Sequence, residues 1–150
     1  MSDLADIARQ LITANVYLAL GTADPAGNPW VSPVFYTPAG YGDFYWVSSP
    51  ETQHSQNIAT RPEVSLVIFD STSVIGEGQG VYVSGTAEQL RGDELERGID
   101  VFSRRSVAQG ARAWMLEAVT GPAPLRLYRA TVEEAFLGIQ DERTAVSRPR

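Results

Sequence analysis

The residues of this chain best suited to chemistry stand together as Ser48, Ser49, Gln53 and His54, inside the run FYWVSSPETQHSQNIATRPEVSLVIFD over positions 44–70. Two hydroxyls, an amide and an imidazole lie where a strand passes into a short helix stopped at Arg61-Pro62. The first turn of a helix carries unpaired backbone N–H groups and the positive end of the macrodipole, so hydroxyls beside it make a corner able to hold a phosphate. Ser49 fits the N-cap and Pro50 the first helical position, where a missing N–H costs nothing; Thr52, Gln53 and His54 follow as further donors. The plainer reading is an ordinary capped helix between two strands, and local chemistry leaves both open.

Composition removes much other chemistry. All 12 basic residues are arginine, and the chain holds no lysine, no cysteine and one histidine, His54. A Schiff-base lysine, a cysteine nucleophile, a Cys/His zinc site and a Ser-His-Asp triad on any other histidine are excluded within one chain. Carboxylate metal sites stay open. The net charge of −6 argues against nucleic acid as a partner, because that surface needs a basic stripe. The arginines are scattered, with only Arg104 and Arg105 adjacent. A length of 150 residues suits one domain over 1–150, with a polar tail, QDERTAVSRPR, expected to be loose at about 140–150. The segment MSDLADIARQLITAN has neither a basic leader nor a continuous apolar core, and no stretch could span a membrane, so a cytoplasmic location is expected.

The elements that must position these residues follow from periodicity. An apolar stripe of Leu4, Ile7, Ala8, Leu11 and Ile12 predicts a helix over 3–14. Strands at 16–22 and 30–37 flank the turn residues Asp24-Pro25-Ala26-Gly27-Asn28-Pro29, a hairpin pattern. A turn over 38–43 leads to FYWVS. The strand VSLVIFD at 64–70 is so apolar that both faces are expected to be covered. The Gly-rich 76–80 precedes a strand, not a helix, and so is a turn and not a dinucleotide loop; in the strand at 81–90, Gly85 marks a bulge or a close backbone approach. Asp93 and Glu96, at capping-box spacing, open a helix to Arg105. A weaker helix is expected over 111–119, with Trp114 in a packing role, and one or two strands over 125–139. Six or so strands joined by tight turns favour a closed antiparallel barrel over an alternating α/β sheet.

This order of elements resembles the pyridoxamine 5′-phosphate oxidase-like family of flavin-binding split β-barrels over roughly residues 3–139. The resemblance rests on Gly27-Asn28-Pro29 leading into VSPVFY, on Trp46 to Phe69, and on Val83-Ser84-Gly85-Thr86-Ala87-Glu88. It implies a mainly β (α+β) fold, a six-stranded antiparallel split β-barrel with short flanking helices. It also implies a homodimer that binds FMN at the subunit interface and acts as an oxidoreductase on a small-molecule substrate. The flavin ring then runs along Ser32, Pro33 and Val34. The phosphate contacts fall on Ser32, Thr37, Ser48, Ser49, Gln53 and His54, with Val47 beside them and Gln79 reaching the cofactor from the mouth of the fifth strand.

The sequence departs from the family's founding oxidases in two ways. Several of their phosphate-binding positions are arginine or lysine, whereas this chain offers hydroxyls, an amide and an imidazole, and a neutral hydrogen bond is about half as strong as a charge-assisted one. They also carry a C-terminal tryptophan and an arginine–histidine pair that grip pyridoxine phosphate, and residues 121–150 contain neither Trp nor His. Pyridoxine phosphate oxidation is therefore not expected. The chain looks more like the shorter branch of the family, which includes FMN proteins, binders of the deazaflavin F420, and haem-handling proteins. Either a redox cofactor carries the chemistry, or the barrel is a carrier or sensor for an anionic or planar ligand.

Overall fold

In the computed structural model, which describes residues 4–139 and 144–146, helix α1 (Leu4–Ala14) precedes strands β1 (Tyr17–Ala23), β2 (Pro29–Phe35), β3 (Thr37–Ala39) and β4 (Asp43–Ser48). Helix α2 (Gln53–Thr60), β5 (Glu63–Phe69), β6 (Gln79–Gln89), α3 (Gly92–Ala108), a 3-10 turn (Leu116–Val119), β7 (Arg126–Ile139) and β8 (Thr144–Ala145) follow. All pairings are antiparallel, in the order β2-β1-β5-β6-β7-β4-β3, with β8 on β7. The two edge strands, β2 and β3, are joined through Tyr36 alone, so the sheet must curl until its edges meet. This is the expected split barrel, with eight strands among the described residues in place of six, because the segment expected at 30–37 breaks at Tyr36 and a short β8 is added.

Tyr36 makes that corner rigid. It is buried, its hydroxyl donates to Ile12 O at 2.5 Å, and burial pushes its phenol up to about 12. The Arg105 guanidinium on α3 donates to Tyr36 O and, at 2.6 Å, to Asn15 O. It also lies over the Tyr36 ring, 4.7 Å from its centroid. One cation thus ties the end of α1, the β2–β3 corner and α3 together through two backbone carbonyls and a ring face.

The barrel interior is filled by Leu18, Leu20, Phe44, Trp46, Ile68 and Val81, among others. A second core, Leu90, Leu95, Ile99, Phe102, Val119 and Leu127, lies under α3. At Gly85 the β6–β7 register shifts, and a Cβ there would stand 2.0 Å from Thr131 O. Both expectations for this glycine, bulge and close approach, describe it.

Several local expectations are corrected. The cap of α2 is Thr52, whose side chain accepts from Ser55 N, so Ser49 and Pro50 belong to the preceding turn. In α3 the N-cap is Arg91 without a side-chain cap; Asp93 falls inside the first turn, two residues too late for a capping box. β5 is central in the sheet but buried on one face only, with Ser65 and Phe69 exposed on the other. The segment 111–115 has no regular secondary structure, with only a 3-10 turn after it. Of the tail expected to be loose, residues 144–146 are described and pair with β7; the rest lies outside the described residues. Among these residues, no helix is long and apolar enough to cross a membrane.

Candidate functional site

Helix α2 is held against the barrel by Asn57, whose amide donates to Thr22 Oγ1 on β1 at 3.0 Å, and by Ile58 in the core. That anchoring turns the first turn of α2 inward. His54 is therefore 7% exposed and not the half-exposed helical residue that a surface reading would place there. Its Nε2 lies 2.9 Å from Ser48 Oγ at the end of β4. Desolvation holds the imidazole below its ordinary value, so the ring is neutral near pH 7.

This pair borders a cavity of about 520 Å³, within the range of small-molecule sites. One wall is Pro33, Val34 and Phe35 of β2, with Val47, Ser48 and His54. The other wall is the end of α3, through Phe102, Ser106 and Gln109, followed by Ala111, Arg112 and Trp114. Tyr17 and Leu125 also reach it. Five of the ten expected site residues, Pro33, Val34, Val47, Ser48 and His54, thus line one space.

The other five have different surroundings. Ser32 Oγ accepts from Trp30 Nε1 at 2.9 Å, Ser49 Oγ accepts from Glu51 N at 3.1 Å, and Gln53 donates to Asn57 Oδ1 at 2.8 Å. Thr37 is buried, and its hydroxyl has no hydrogen-bond partner among the described residues. Gln79 borders a separate groove of about 320 Å³ with Phe69, Asp70 and Tyr82. In a single chain, then, Gln79 is not brought to the cavity.

The sequence reading missed Tyr17, Ser106, Gln109 and Arg112. Arg112 and Trp114, two residues apart, come together on one face, the guanidinium carbon 4.0 Å from the indole centroid. Reading 111–119 as helix hid this pairing. Trp114 keeps the expected packing role, edge-on to Phe102 at 5.9 Å, while also lining the cavity. As a test of fit for a flavin phosphate, the cavity offers the Ser48 hydroxyl, the His54 ring and one guanidinium, and none of the residues lining it is acidic. Among the described residues no group of His, Asp or Glu could hold a metal ion.

A family model described as pyridoxamine 5′-phosphate oxidase matches residues 4–137. None of the curated proteins matches the sequence. Among solved structures, a haem-binding protein from Mycobacterium smegmatis superposes with a TM-score of 0.78 at 21% identity over 98% of this chain, which spans only 59% of that protein. The haem storage protein HutZ from Vibrio cholerae superposes with a TM-score of 0.70 at 20% identity, covering 93% of this chain and 95% of its own. A Clostridium acetobutylicum protein of the pyridoxinephosphate oxidase family, related to general stress protein 26 of B. subtilis, gives 0.65 at 13% identity, covering 94% and 92%. At these identities the likeness is one of fold.

Proposed function

The chain belongs to the pyridoxamine 5′-phosphate oxidase family, and on that premise we propose that it binds FMN in the cavity between β2 and α3 and serves as an oxidoreductase for a small molecule. The observation that carries this reading is the meeting of Pro33, Val34, Val47, Ser48 and His54 around one space with no acidic lining residue. Ser48 and His54 hold the phosphate, and the β2 wall orients the ring. The bound flavin supplies the hydride or electron transfer. The deazaflavin F420 suits the same walls. A homodimer belongs to this reading: Tyr17, Trp30, Val31 and Phe69 leave apolar surface exposed on β1, β2 and β5, and a second copy would cover it.

Haem binding is a second reading, supported by one feature of the cavity. His54, the sole histidine, lines it in the neutral state that ligates iron. The visible spectrum of protein purified without added cofactor, followed by titration with FMN and riboflavin, separates the two. The flavin reading expects FMN to bind at least about 10-fold tighter than riboflavin, with Ser48→Ala eroding that preference. A Soret band lost in His54→Ala, with no flavin binding, would establish haem instead.

A further inference from the structure

Arg112 differs from Arg104 and Arg105, the two arginines in the last turns of α3. Arg105 is spent on the carbonyls of Tyr36 and Asn15, and Arg104 pairs with Asp100. Arg112 has no ion pair among the described residues, yet it lines the cavity. It is also held in place. Its carbonyl accepts from the buried Ser106 hydroxyl at 2.6 Å, and two residues on, Trp114 N donates to Ser103 Oγ at 2.7 Å. The guanidinium carbon lies 4.0 Å from the centroid of the Trp114 ring. A planar cation stacked on an indole, on a backbone fastened twice to α3, needs little further ordering to receive a ligand.

The charge around it is selective. The protein has 18 acidic residues and a net charge of −6, but none of the residues lining this cavity is acidic. An anion entering there meets no opposing carboxylate on the walls, and the guanidinium fork matches the two oxygens of a carboxylate or phosphate. Phe35, Phe102 and Trp114 are aromatic neighbours of the same space, suited to a flat body.

We infer that Arg112, with Trp114, is the specificity-determining clamp for the second, non-cofactor ligand, and that this ligand is a flat molecule bearing a carboxylate or phosphate. The assignment of a first ligand to the β2 wall rests on the reading above; the anion clamp itself does not. Isothermal titration of the full chain with benzoate, phenyl phosphate and benzamide tests it, with and without FMN. Both anions should bind at least about 10-fold tighter than the neutral amide, and Arg112→Ala should remove that preference without changing the melting temperature. Trp114→Leu should cost the anions a smaller factor, roughly 2- to 5-fold. Equal affinity of the anions for wild type and Arg112→Ala, or no preference over benzamide, overturns the inference. So does a loss in Arg112→Ala confined to FMN with riboflavin unaffected, because Arg112 would then hold the cofactor phosphate. If FMN fails to bind while the anion preference persists and depends on Arg112, the cofactor reading fails and the clamp stands.

Discussion

Acid should destabilise this protein through His54 in a window that the structure defines. The ring is 7% exposed and its pKa is lowered by desolvation, whereas in the unfolded chain it titrates at about 6.5. Between 6.5 and the lower folded value the unfolded state binds more protons, so stability falls as pH drops through that window. Above about 6.5 the group contributes no pH dependence. One proton of difference sets a slope of at most about 1.4 kcal/mol per pH unit, or at most about 2 kcal/mol by pH 5. Urea unfolding of wild type and His54→Gln between about pH 7.5 and 5 isolates this contribution, because the carboxylates titrate alike in both proteins. The wild type should lose stability relative to the variant as the pH falls. Parallel profiles would mean that His54 does not change protonation on unfolding, and a relative gain for wild type in acid would mean that the folded protein favours the imidazolium. Either result would refute desolvation as the dominant influence on this ring.

Two further substitutions test the local structure that builds the site. Thr52→Ala should cost about 1 kcal/mol through loss of the α2 cap, while Ser49→Ala should cost a few tenths; thermal melting showing the opposite order would return the cap to Ser49. Gly85→Ala should cost about 3 kcal/mol or prevent folding, because its Cβ would meet the backbone oxygen of Thr131 at 2.0 Å and backbone cannot step aside like a flexible side chain. An unchanged melting temperature in that variant would contradict the bulge at this position.

Local chemistry in the sequence was enough for most of the barrel. Alternating apolar residues, the Asp24–Asn28 turn and the Gly85 bulge each act over a few residues, so β1, β2, β6 and the β1–β2 hairpin could be read directly, as could the family. The lower wall of the site, from Pro33 to His54, was legible for the same reason, since a strand, a corner and a helix start follow one another in the chain. What could not be read depends on contacts between distant segments. Ser49 and Thr52 are both competent caps, and the choice fell to Thr52 once Asn57 and Ile58 had locked α2 onto β1. The charge of His54 depends on how deeply that docking buries the ring. Gln79 shares the family pattern yet sits in another groove, because β6 begins on a different part of the curled sheet. Arg112 became a site residue only because α3 packs Phe102 against Phe35 of β2 and its serines fasten the segment that follows. A cation's role depends on what it faces, and only the tertiary structure brings residues 33 and 112 to the same space.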